Sequence, residues 1–134
     1  VVEFVGLTLV LFVPLVYVLL VVAALLRAVD GVTAAAQAAG RAYTTAGSSR
    51  QGWADARDAA GVALADQGLT SDPHSLSVSC TAQPCLTPGA SVATVVRVQV
   101  RLPGVPAVLG HQLASVVVSA RHVDVVDAFA PVRP

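Results

Sequence analysis

The chain opens VVEFVGLTLVLFVPLVYVLLVVAALLRAVD (1–30). Glu3 is followed by an uncharged run from Phe4 to Leu26, and Arg27 ends it. A helix rises about 1.5 Å per residue, so these roughly 23 residues extend about 35 Å. That is enough to cross a hydrocarbon core of about 30 Å. Arg27 and Asp30 then fall at the far interface. A secretory signal has a shorter apolar core, of about 7–15 residues, behind a basic segment. No basic segment precedes this run. The stretch predicts one membrane-spanning helix at the N-terminal end, with the rest of the chain on one side. Val1 is not an initiator residue, so the chain reads as processed or trimmed.

Outside this run the composition is that of a small soluble domain. The chain has 134 residues, about one domain's worth, and a formal net charge of zero from eight arginines and eight acids. Lys, Ile, Asn and Met are absent, the usage of a GC-rich coding sequence. No basic stripe with interleaved aromatics exists, so nucleic acid is not expected as a partner.

Working outward, the helix is predicted to continue past the interface to about residue 45. AVDGVTAAAQAAGRAYTTA (28–46) is rich in Ala, the strongest helix former. Val29, Val32, Ala36, Ala39 and Tyr43 recur at three- or four-residue spacing and predict one apolar stripe. Pro14 lies inside the helix, as a kink or as a locally melted segment. GSS (47–49) breaks the helix, and Ser48 or Ser49 caps a second one over about 50–66. Its packing face is expected to be Trp53, Ala56, Ala60 and Ala63 or Leu64. Gly68 is a natural stop.

From Ser75 the period becomes two. SLSVSCT (75–81) puts Leu76, Val78 and Cys80 on one face. SVATVVRVQVRL (91–102) puts Val92, Thr94, Val96, Val98, Val100 and Leu102 inside, with Arg97, Gln99 and Arg101 outside. LASVVVSARHVDVVDA (113–128) is a third strand whose alternation slips near Arg121–His122, as at a bulge or at the end of pairing. LTPGA and the longer LPGVPAVLGHQ connect the strands. The expected class is α+β: a long N-terminal helix, a short second helix and a small, mainly antiparallel three-stranded sheet. Residues 1–46 form the hydrophobic helix, a membrane anchor that continues into the head, and 47–134 form the extracytoplasmic head.

Chemistry-bearing residues are sparse. Cys80 and Cys85 are the only cysteines, separated by four residues, TAQP, between two strands. Too few Cys and His accompany them for a structural zinc site, and the spacing is not the redox C-x-x-C. A disulfide closing a hairpin loop is expected; two buried free thiols are the alternative. His74, His111 and His122 are scattered. No G-x-S-x-G, H-E-x-x-H, P-loop or dinucleotide fingerprint occurs. Neither an enzyme nor a cofactor or metal is expected. Arg97 and Arg101 share a strand face, either simply solvated or in contact with an anion or a partner subunit.

Glu3 remains. An acid in the first turn complements the helix dipole or sits among headgroups. If the helix instead leaves lipid and joins a bundle, the buried carboxylate needs a partner. A neighbouring chain's N-terminal ammonium is the obvious one, and the pair then fixes the axial offset between subunits.

These residues resemble a known family. VEFVGLTLVLFVPLVYVLL (2–20) looks like the N-terminus of type IV pilin-like proteins, most closely the TadE-like family of Tad/Flp pilus systems. Glu3–Phe4 matches the family's Glu followed by an aromatic or other apolar residue. AAGRAYTTA (38–46) is similar to the Ala/Gly/Arg patch beyond the membrane, and ASVVVSARHVDV (114–125) resembles the last strand. The family's Glu is usually the fifth residue after prepilin-peptidase cleavage; here it is third. Flp major pilins are usually little more than the helix, whereas this chain carries a head, which suits a TadE-like pseudopilin or a headed pilin.

The resemblance implies a pilin-like fold and a structural subunit of a helical filament built from copies of this chain. Glu3 would serve assembly. Phe4, Gly6, Leu7, Leu11, Pro14, Leu15 and Val18 would pack the helical core, with Ala23 and Ala24 allowing close approach. A prepilin peptidase and an ATPase-driven inner-membrane platform are the implied partners. The implied location is first the cytoplasmic membrane, then the cell surface, with adhesion as the role. The rival expectation is a membrane-anchored binding domain that never polymerises.

Overall fold

The computed structural model describes residues 1–72, 74–104 and 115–134. His111, most of the LPGVPAVLGHQ connection and the first residues expected of the third strand lie outside the described residues. The architecture is the expected α+β one: α1 (Val2–Thr45), α2 (Ser49–Asp66), β1 (Leu76–Cys80), β2 (Ser91–Arg101) and β3 (Ser115–Val125). The strands form one antiparallel sheet in the order β1-β2-β3.

Helix α1 is a single 44-residue helix, about 66 Å long, and runs unbroken through Pro14. Its C-terminal half is the centre of the head. Val32, Ala36, Ala39 and Tyr43 are buried as the spacing predicts, but Val29 is 48% exposed. Ala28, Gly31, Ala35 and Gly40 take the rest of the packing face. The face is mostly alanine and glycine, so α2 and the sheet approach the helix backbone closely.

Ser48 caps α2, its Oγ accepting from the Gln51 N–H at 3.3 Å. The packing face of α2 is Gly52, Ala56, Ala60 and Leu64, four residues apart in strict series. Trp53 is not part of it and is 42% exposed. The physical reason is Tyr43: a Cβ at position 52 would meet its ring and carbonyl at 3.1 Å. The interface takes one large ring, supplied by α1, and needs a residue without a side chain opposite it. Gly68 ends this segment with φ +70°, a conformation that favours glycine.

On β2, Val92, Thr94, Val96, Val98 and Val100 face the helices and are buried. The β2–β3 register is continuous from Ser91↔Val125 to Arg101↔Ser115, so the expected slip near Arg121–His122 does not occur. Alternation holds, but the inward positions turn polar: His122 pairs with Thr94 and Asp124 with Val92, on the helix side. The apparent slip is a change of chemistry on an unchanged face.

The C-terminal segment locks the end of α1. Arg133 Nη1 donates to the Ala46 carbonyl at 2.6 Å, and Nη2 to that of Thr44 at 3.0 Å. These are carbonyls at the end of a helix, without a partner one turn on. Ser49 N–H donates to the Pro134 carbonyl at 2.6 Å, and Leu86 bridges to Arg133. Replacing Arg133 by alanine is expected to lower stability by about 2–3 kcal/mol, two charge-assisted hydrogen bonds being lost at once. A urea titration checks this; an unchanged midpoint would rule out the cap.

Cys80 and Cys85 are joined, closing the loop between β1 and β2 with Cα atoms 5.3 Å apart. So short a loop restricts the unfolded chain little, so replacing both by serine should cost about 2 kcal/mol and leave the fold intact. Thermal unfolding of the double variant by circular dichroism is the check.

Candidate functional site

The feature that ordinary domain packing does not explain is the first half of α1. It is apolar on every side, and none of its most apolar 18-residue window is buried. A helix apolar all round belongs in a core or a membrane, not in water. From Val2 to Leu15 every residue is exposed, and partial cover begins only at Val16. The residues expected to pack a helical core are open: Phe4 is 74% and Leu11 75% exposed, with Leu7, Leu15 and Val18 alongside. At Gly6 an added Cβ would meet nothing within 4 Å. Pro14 lies in the same exposed stretch, and Thr8 Oγ donates to the Phe4 carbonyl at 2.8 Å, satisfying its hydroxyl within the helix.

Glu3 is exposed in the first turn. Within one chain it has no close cationic side chain among the described residues. The structure thus places Glu3, Phe4, Gly6, Leu7, Leu11, Pro14 and Leu15 on one continuous, uncovered stretch of helix, with Val18 exposed just beyond the start of partial cover. Cys80 and Cys85 lie apart from it, in the head. By length and composition, α1 is able to cross a membrane.

A second cluster lies under the other half of α1, and sequence reasoning missed it. Thr94, the buried polar residue of the core, donates its hydroxyl to the Ala36 carbonyl at 2.8 Å. Beside it, His122 Nε2 lies 3.4 Å from Asp124 Oδ1. The second carboxylate oxygen, Oδ2, is buried without a hydrogen-bond partner among the described residues and faces Gly40. Strict counting of the β3 period from Val116 would have placed both polar side chains inward. The cluster fixes where β3 crosses α1. Among the described residues no group of three or more His, Cys, Asp and Glu is gathered as a metal site would need.

No family model, no curated protein and no solved structure matches this chain.

Proposed function

We propose that this chain is a structural subunit of a type IV/Tad-like pilus filament, a pilin or TadE-like pseudopilin. The observation that carries the reading is the division of one continuous helix. Its second half is the core of a folded head, and its first half is an exposed apolar rod, uncovered from Val2 to Leu15, with an acid at the tip. A rod of this kind needs two covers in turn. Before assembly it is held in the cytoplasmic membrane with the head outside. A prepilin peptidase removes the leader, and an inner-membrane platform driven by an ATPase lifts the rod from the lipid. In the filament, copies of the rod cover one another, and the heads form the outer shell and serve surface adhesion.

In a bundle, the small residues Gly6, Ala23 and Ala24 allow neighbouring backbones to approach. The larger Phe4, Leu7, Leu11, Leu15 and Val18 fill the space between them. Glu3 pairs with the N-terminal amine of a neighbouring chain. No step requires catalysis or a cofactor.

The test is electron microscopy of filaments sheared from producing cells, with mass spectrometry of their main protein. Thin filaments dominated by this chain make it the major subunit. Filaments that contain it as a trace make it a minor one. Abundant chain left as a membrane monomer, with no filaments, returns the reading to a plain anchored domain.

A further inference from the structure

β1 and β3 are the two edges of the sheet, with β2 between them. Each pairs antiparallel with β2, so they run parallel to one another. The outward N–H and C=O groups of an edge strand are a template for a further strand. Among the described residues, no backbone hydrogen bond outside the β2 ladders reaches Leu76–Cys80 or residues 116–120. Edges in natural sheets are blunted by charge, proline, a bulge or a covering element. Residues 116–120, VVVSA, carry no charge, proline or glycine, and their register with β2 is unbroken. Val116 lies on the helix side, opposite buried Val100, and is still 40% exposed; Val117, on the outer face, is 65% exposed. The edge of β1 is equally plain: LSVSC, without charge.

The direction of α1 decides which edges can meet. Arg27 shares a groove with Val100 and Arg101, the Ala36 carbonyl accepts from Thr94, and Gly40 faces Asp124, the partner of Val92. As α1 advances, β2 runs back, so α1 points the same way as β1 and β3. An antiparallel β3–β3 pair between two copies would point their helices in opposite directions. A parallel β3–β3 pair would turn one head over and close as a dimer. β3 beside β1 of the next copy keeps every α1 pointing one way on one face of the joint sheet. Such a contact is head-to-tail and leaves a free edge at each end, so it repeats from copy to copy.

We infer that residues 116–120 of one head pair in parallel with Leu76–Cys80 of the next, so that the sheet continues between neighbouring subunits. This rests on the reading of the chain as a filament subunit and adds a contact between heads to the packing of the rods. Chemistry sets the register. Across β2, β1 lies level with residues 120–124, where β3 carries Arg121, His122 and Asp124. Uncharged LSVSC matches uncharged VVVSA instead. A shift by an odd number of residues would put every side chain on the wrong face. A shift of four, from 120–124 to 116–120, keeps the faces. At about 3.3 Å per residue it staggers neighbouring heads by roughly 13 Å along the strands. Leu76 and Val78 then continue the helix-side row to Val116 and Val118, and Ser77 lies beside Val117 on the outer face.

The experiment uses filaments of the full chain carrying S77C/V117C, oxidised and run on a non-reducing gel. Both positions are exposed, and β2 separates them within one chain, so a disulfide between them joins two copies. A ladder of dimers, trimers and higher multimers is expected, with loss of the ladder in either single variant. Circular dichroism confirms that each variant is folded. If the double variant folds but does not assemble, the two single variants produced together with the parent chain give the readout as cross-linked dimers. Filaments without cross-links overturn the strand pairing and leave the filament reading standing. Dimers from V117C alone mean that β3 meets β3, and cross-links to a different protein give the edge another occupant; either overturns the pairing. A ladder from S77C/R121C but not from S77C/V117C overturns the stagger. A parent chain that forms no filaments overturns both readings.

Discussion

Gly40→Ala is expected to destabilise the head, although alanine is the better helix former by about 1 kcal/mol. In an exposed helix the same change stabilises. Here the new methyl falls inside the van der Waals shell of Asp124 Oδ2, 3.2 Å from its Cγ and 3.4 Å from Thr94 Oγ. The carboxylate has little freedom to yield. Its backbone is paired with Val92 across the sheet, and its other oxygen lies against His122. Overpacking of this kind costs about 1–3 kcal/mol. The expected result is a thermal midpoint lowered by roughly 3–10 °C. Gly40→Leu should go further and prevent α1 from docking on β3 at all. The double variant Gly40→Ala/Asp124→Ala should recover most of the loss, because it removes the atom that collides. A Gly40→Ala head as stable as the parent would show that β3 does not cross α1 at this point.

That crossing also marks the limit of what was legible in the sequence. Element order, the 44-residue helix and the class of the sheet followed from periodicity, because each is dictated by one strong signal over many residues. The disulfide followed from spacing and context. Three features did not. Trp53 looked like the anchor of α2, but Tyr43 on the facing helix had already filled that space, and only the pair decides which ring goes inside. Arg121–His122 looked like a slip in β3 because hydropathy was taken for orientation. On a strand, orientation follows position alone, and an inward polar residue is a clue to a glycine or a hydroxyl opposite. Arg133 gave no local signal, since its acceptors are the carbonyls of Thr44 and Ala46, nearly ninety positions earlier. Of the candidate site, the apolar run and Glu3 were plain in the sequence. What the structure adds is that the head leaves Glu3 and the run as far as Leu15 uncovered.

The same division of α1 sets the expected effect of changing its tip. Glu3→Ala should leave the head folded, since Glu3 touches none of it, and should leave membrane insertion intact, since removing a charge only makes the run more apolar. Filament yield should fall by roughly 100-fold or more, the scale expected when one member of a buried pair is removed and the other charge is left without compensation. Glu3→Gln separates charge from size. It keeps the length and a hydrogen-bonding group but not the attraction, so it should fail nearly as badly. Sheared-filament yield and membrane-fraction abundance, measured together in the same cells, give the result. Loss of filaments with normal membrane levels places Glu3 in assembly. Loss of both would point to degradation instead. Normal filaments in both variants would sink the charge pair, and register would then have to come from the shape of the apolar rod alone. Its fourteen residues from Val2 to Leu15 have no cover within the chain and carry no second charge to set an offset.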